Sequence, residues 1–220
     1  MLDVIARPLG ALLKLIYDLV GNYGLSIILF TILTKILLLP INIKQTQSTK
    51  KMNEINPKMK AIQAKYKNDK EKMNEKLMEL YKEEKYNPAG GCLPALIQLP
   101  IIIALFRVLQ GPTKFVFTPE QFEAISKSFL WLPDLGLPDK MYILPILSAL
   151  TTYLQMNMIA SKTNTDANAK TMNIVMPIML GWITIRFPSG VAMYWVVGNL
   201  FTIVQQYLMT KTLFSPKGGE

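Results

Sequence analysis

The sequence predicts an all-α integral membrane protein with five transmembrane helices, an N-terminal amphipathic interfacial helix and a cytoplasmic antiparallel helical hairpin. Three observations carry that prediction. Half of the 220 residues are apolar and 18% are charged, a richer apolar content than an ordinary soluble domain carries. Apolar runs of near bilayer length recur between short polar segments. Most of the net charge of +9 is gathered in one stretch, where the lysines from Lys44 to Lys85 outnumber the acids twelve to seven.

Residues 1–20 place Leu2, Ile5, Leu9, Leu12, Leu13, Ile16 and Val20 on one helical stripe and Asp3, Arg7, Lys14 and Asp18 on another. Four charges fit a helix lying in the membrane interface better than one crossing it; the same pattern also suits an amphipathic helix packed on protein. Gly21-Asn22-Tyr23-Gly24 breaks that helix. The first span is then 22–43.

The basic stretch 44–88 has its own period. Met52, Ile55, Met59, Ile62 and Tyr66 step by three and four, as do Met73, Leu77 and Leu80, with Asn68-Asp69 between the two series. That describes two helices folded back on each other, with Pro57 starting or kinking the first arm. The methionine-rich seam is the hairpin's own packing or an adaptable binding face.

Further spans fall at 93–110, 141–159, 172–187 and 190–210, with an extracytoplasmic loop over 111–140, a cytoplasmic loop over 160–171 and a cytoplasmic tail over 211–220. Lysines and acids are balanced in 111–140, whereas the hairpin is basic and the tail ends with Lys211 and Lys217. The positive-inside rule then puts the N-terminus outside and the C-terminus inside. Arg107 and Arg186, near span ends, read as snorkelling anchors.

Lys35 is the residue this arrangement does not absorb. It lies inside the run Leu25 to Ile43, about 15 Å from one end and about 12 Å from the other at 1.5 Å per residue. A charge at that depth costs about 2.5–3.5 kcal/mol on insertion scales and normally faces a wet cavity or a counter-charge. Asp and Glu occur only in the loops, the hairpin and the termini, so no acid within a span neutralises it. Water or an incoming acidic segment must. Other polar residues within spans are Thr31, one turn before Lys35, Gln98, Tyr194, Asn199, Gln205 and Gln206, with Trp195 beside them. Thr31 also suits a hydroxyl bonded back to its own helix. Gln98, Asn199 and Gln205 also suit hydrogen bonds between helices, and Tyr194 and Trp195 also suit interfacial aromatics.

The same residues exclude functions. Histidine is absent and the single cysteine, Cys92, forms no internal disulfide, so no metal, redox or cofactor chemistry is expected. No phosphate-binding glycine loop, zinc-protease or serine-hydrolase motif is present. A Ser–Lys dyad joining Lys35 to Ser148 or Ser26 is the remaining catalytic reading. A transporter or pore lacks the intramembrane acids such proteins use. A membrane-bound scaffold that recruits ribosomes or anionic lipid through the basic hairpin is a further alternative. A wet, positively charged indentation suits a different role. It can draw the acidic end of a nascent chain part-way into the bilayer while the attached apolar helix moves sideways into lipid.

Leu-Leu-Pro40 after Lys35, Asn87-Pro88-Ala-Gly-Gly-Cys-Leu-Pro94, Leu-Ile-Gln98-Leu-Pro100, Tyr142-Ile-Leu-Pro145 and Phe187-Pro-Ser-Gly190-Val-Ala-Met-Tyr194-Trp195-Val-Val-Gly-Asn199, followed by Gln205-Gln206, form an ordered set that resembles the YidC-type membrane protein insertases. The resemblance covers nearly the whole chain from residue 20. It implies a multi-pass protein of the bacterial plasma membrane, in the compact form of a family with mitochondrial and chloroplast relatives, without the large extracytoplasmic domain of some of them. It implies a hydrophilic groove open to the cytoplasm and to lipid, and a non-enzymatic insertase and folding helper that uses no nucleotide hydrolysis. Its partners would be nascent membrane proteins, the ribosome, the Sec translocon and the lipid bilayer, with no specific nucleic-acid sequence. The groove's basic residue, usually arginine in this family, is here Lys35. Thr31, Gln98 and Trp195 match groove-lining positions with Tyr194 beside them, and Asn199 and Gln205 give polar support to groove or bundle.

Overall fold

Gly21 ends the first helix because its backbone is left-handed, with φ at +70°, and its N–H closes on the Tyr17 carbonyl at 2.7 Å. Only glycine takes that conformation without steric cost. The computed structural model describes the backbone of residues 2–159 and 167–212, and the side chains of 3–87, 99–158, 171 and 173–209. Helix α1 (Leu2–Val20) buries Ala6, Gly10, Leu13 and Ile16, and Val4, Leu15 and Leu19 face outward. Asn22 then caps α2 (Tyr23–Leu37), its side-chain oxygen accepting from the Leu25 amide at 2.9 Å.

The segment 22–43, expected as one helix, is broken in two. The chain breaks at Leu38, and α2 meets α3 (Leu39–Lys65) at 62°. Pro40 is the cause: it has no N–H to give to the Ile36 carbonyl, and its ring would collide with that carbonyl in a continuous helix. At the second position of a new helix the same residue costs nothing. The first hairpin arm therefore begins at Leu39 rather than at 44, and Pro57 lies well inside it instead of starting it. Asp69 caps the second arm, α4 (Lys70–Glu83), through the Lys72 amide at 3.0 Å. Ile55 and Leu80 are the buried residues of the seam, whereas Met52 is 44% exposed and departs from it. Glu84 braces the arms by pairing with Lys51 at 2.8 Å and with Lys58.

Helix α5 (Pro88–Gln110) starts at the proline of Asn87-Pro88, five residues before the apolar run that marked the second span. The segment 111–140 is built rather than loose. It holds the short helices α6 (Pro112–Phe115) and α7 (Pro119–Ala124), the latter opened by a Thr118–Gln121 capping box, and a Phe129–Leu132 bridge. Phe117 meets Tyr17 and Tyr23 edge-on at centroid distances of 5.0 and 5.8 Å, and Phe122 meets Tyr23 at 6.1 Å, so these residues seal the ends of α1 and α2. Gly10 is what lets α1 settle there, because a Cβ at that position would lie 2.2 Å from the Phe115 carbonyl oxygen.

Three helices complete the bundle: α8 (Ile143–Ile159), α9 (Ala167–Thr184) and α10 (Ser189–Thr212). The linker expected over 160–171 is shorter than that, since α9 already runs from Ala167; residues 160–166, and the tail from 213 on, lie outside the described residues. Asp139, buried, supplies the first turn of α8 by accepting from the Leu144 amide at 2.8 Å. The first amides of α10 are met by loop carbonyls, Ser189 by Leu137 at 2.8 Å and Gly190 by Leu135 at 2.9 Å.

Polarity is inverted relative to a water-soluble bundle. Ser26, Thr31, Ser148, Thr151, Thr152 and Asn199 are buried, while Leu29 and Leu33 of α2, Ile146 and Leu150 of α8, Ile178 and Trp182 of α9, and Leu200 and Val204 of α10 face outward. An apolar exterior on α2, α8, α9 and α10 suits hydrocarbon, not water. Among the described residues no single helix is long and apolar enough to cross a membrane; the bent pair α2–α3 together has the length and composition of a broken span or a re-entrant loop, and Leu99–Gln110 and Asn173–Thr184 are shorter apolar helices. In α10 the shortfall has a plain source, the polar residues on its inward face.

Candidate functional site: a polar cavity headed by a lysine

The bend at Leu38 makes the site. It turns α3 away from the axis of α2 and leaves a cavity of about 740 Å³ between α3, α8, α9 and α10, with Lys35, in the last turn of α2, at its head. The lining comes from faces that repeat every three or four residues. Helix α10 supplies Tyr194, Trp195, Gly198, Asn199, Thr202, Gln205 and Gln206; α3 supplies Asn42, Gln45, Thr46, Thr49, Lys50 and Asn53; α8 supplies Thr152 and Gln155. Methionines and aliphatic residues, namely Met156, Met158, Met176, Leu180 and Ile102, form the rest. Among the described residues that line the cavity none is acidic, and two are lysines, Lys35 and Lys50.

Lys35 is partly buried, and its Nζ donates to the Thr202 hydroxyl at 3.3 Å. That hydroxyl in turn donates to the Gly198 carbonyl at 2.9 Å, so its proton is committed and its oxygen faces the ammonium. Gly198 gives the lysine its path: a Cβ there would lie 3.1 Å from Lys35 Cε and 3.6 Å from Nζ. Among the described residues Lys35 makes no ion pair. A charge with one neutral acceptor in a partly buried site retains most of its demand for solvation.

The wall behind it is tied by direct hydrogen bonds. Trp195 Nε1 donates to Thr152 at 3.2 Å, and Asn199 donates to Thr151 at 3.1 Å and to Thr152 at 2.8 Å. Gln206 reaches across to Thr46 of α3 at 3.5 Å. The Oγ of Ser148 and the Oε1 of Gln205 are buried without a partner among the described residues. Ser148 is not a lining residue of the Lys35 cavity.

Of the residues singled out from sequence, Lys35, Tyr194, Trp195, Asn199, Gln205 and Gln206 line the cavity. Thr31 does not: it is fully buried, and its hydroxyl donates to the Ile27 carbonyl of its own helix at 2.6 Å. Gln98 belongs to α5, and its side chain lies outside the described residues. Sequence reasoning passed over Thr152, Gln155, Thr202 and the whole α3 face. The signal for that face was present, since Asn42, Thr46, Thr49 and Asn53 recur at helical spacing between the lysines. Arg107, read as a snorkelling anchor, is paired with Asp3 at 3.1 Å, and Arg186 lies over the Trp182 ring at 5.5 Å.

A helical bundle with an apolar exterior around a polar, cationic cavity is a membrane protein by construction, and comparison with known proteins agrees. The family model for the 60Kd inner membrane protein matches residues 15–216. Membrane protein insertase YidC of Caldanaerobacter subterraneus subsp. tengcongensis is 45% identical over 212 residues, covering 95% of this chain and 97% of that protein. The protein of the same name from Clostridium perfringens is 46% identical over 201 residues, 88% of this chain and 81% of its own length. A longer relative from Geobacter sp. strain M21 is 38% identical over 95% of this chain, which spans 37% of it. A solved structure described as an active YidC insertase with its first transmembrane domain resolved superposes with a TM-score of 0.67 at 30% identity, over 87% of this chain and 43% of that one. The chain belongs to the 60Kd inner membrane protein family, and the bacterial cell membrane is its place.

Proposed function

We propose that the protein inserts nascent membrane proteins and helps them fold, using the cavity at Lys35 as a hydrophilic groove for the segment that must cross. The observation that carries this reading is an ammonium in a polar cavity that no acidic side chain lines among the described residues. In the membrane the helices α2, α5, α8, α9 and α10 span with the N-terminus outside and the hairpin and C-terminus inside, and α1 lies in the outer interface. The aromatic seal around Phe117 supports a groove closed on the outside, and the lysine-rich hairpin supports its opening on the inside.

Lys35 then attracts the acidic, hydrated end of the entering chain and shortens the low-dielectric path it must cross. The attached apolar helix leaves sideways into lipid, and its burial drives the step at roughly 25 cal/mol per Å² of apolar surface. No nucleotide is consumed and no covalent step occurs. The ribosome and the Sec translocon are the partners such a client route implies, with the basic hairpin facing the ribosome.

Reconstituted insertion of a small single-span protein, scored by protease protection, tests the reading. For a client with an acidic N-terminal tail, Lys35→Glu is expected to lose insertion and Lys35→Ala to reduce it. Equal insertion by all three proteins would refute attraction as the mechanism.

A further inference from the structure

We propose that Gly198 and Thr202 of α10 are positioning residues for the groove's cation. Together they form a cradle that holds the Lys35 ammonium at one point of the cavity, so that its attraction acts at a defined depth. The inference rests on the groove reading above and adds how the charge is placed.

A lysine has four rotatable side-chain bonds and a strongly hydrated head. Left alone on the last turn of α2, it would spread its charge over many rotamers. Two features one turn apart on the facing helix prevent this. The missing side chain of Gly198 leaves a slot for the lysine stem, where even a methyl group would sit at 3.1 Å from Cε, closer than ordinary van der Waals contact. Thr202 closes the slot chemically. Because its own proton is given to the Gly198 carbonyl at 2.9 Å, the hydroxyl can only accept from Nζ, which it does at 3.3 Å. Gly198 is thus used twice, for the space above its Cα and for its carbonyl. The would-be side chain of Gly198 meets the stem of Lys35 first, at 3.1 Å, and only then Thr31 Cγ2, also of α2, at 3.8 Å.

The test uses the full chain in liposomes and two clients that differ only in their N-terminal tail, one acidic and one neutral. The readout is the ratio of acidic-tail to neutral-tail insertion. In Thr202→Val, of equal size but with no acceptor, the ratio is expected to fall about tenfold, the worth of one hydrogen bond to a charged group at its modest end. Gly198→Ala should lower it in the same direction by displacing the ammonium, and Thr202→Ser should restore it to within about twofold, since the acceptor is kept. A purely structural role would reduce both clients alike. An unchanged ratio in Thr202→Val and Gly198→Ala, with Lys35→Ala still lowering it, overturns the cradle and leaves the groove standing. An unchanged ratio in Lys35→Ala overturns both.

Discussion

Two walls of the cavity are built on different principles. The wall of α8 and α10 is pinned at its centre, where Trp195 and Asn199 donate to Thr151 and Thr152 within 3.2 Å. On its far side Gly181 lets α9 approach so closely that a Cβ would lie 2.8 Å from the Ala149 Cβ. The wall of α3 hangs from a bend at Leu38 and is steadied at a distance by the pairing of Lys51 and Lys58 with Glu84. Neutral hydrogen bonds and close packing serve where water is excluded; ion pairs serve where water is at hand. The first kind is insensitive to salt and pH, whereas the second responds to both.

The sharpest break of the first wall is Gly181→Leu. A side chain placed against Ala149 and the Pro145 carbonyl overpacks the α8–α9 contact and is expected to cost about 3 kcal/mol or more, read as a large loss of thermal stability in detergent. Next, Asn199→Leu removes two hydrogen bonds between helices at once and should cost about 1–2 kcal/mol, measured by the same melt, with insertion weakened in proportion. On the other wall Glu84→Gln should leave the melting of the bundle alone. Its expected effect is faster tryptic cleavage at Lys51 and Lys58 and a wider α3–α4 distance by spin labels.

Acid should mimic that variant. The two lysines, through their hydrogen bonds, hold the Glu84 carboxyl down at about 2, against its ordinary 4.5. A depressed carboxyl stabilises the folded arm fully above pH 4.5, and the contribution fades as pH falls from there toward 2. Hairpin cleavage by an acid-tolerant protease should therefore accelerate between pH 4.5 and 2 more steeply in the parent than in Glu84→Gln. A bundle that loosened in step with the hairpin would show that the two walls are not independent.

Much of this was legible beforehand. The stops and caps at Gly21, Asn22 and Asp69 follow from local chemistry that needs no partner, and the singular position of Lys35 follows from its surroundings in the chain. Leu38 is a different case. Pro40 announced a helix boundary, but the apolar run through Ile43 outweighed it, because hydropathy marks burial in lipid and is blind to direction. The α3 face was missed for a related reason: small uncharged polar residues among lysines read as a solvated surface, and only the bend turns them toward α10. Arg107 has a partner 104 positions away in Asp3, which no local pattern could supply.

What the sequence by itself determined is the class of the protein, its helices, and one cation set in an apolar run with no acid to match it. Apolar periodicity and charge placement act through nearest neighbours and through the solvent each segment prefers, so they can be read along a single chain. What only the tertiary structure decided is where that cation points and what surrounds it. The slot over Gly198, the hydroxyl of Thr202 and the turned face of α3 come together because helices far apart in the chain are packed against a bend of 62°. Those contacts depend on crossing angles and close approaches, quantities that belong to pairs of helices rather than to any one of them.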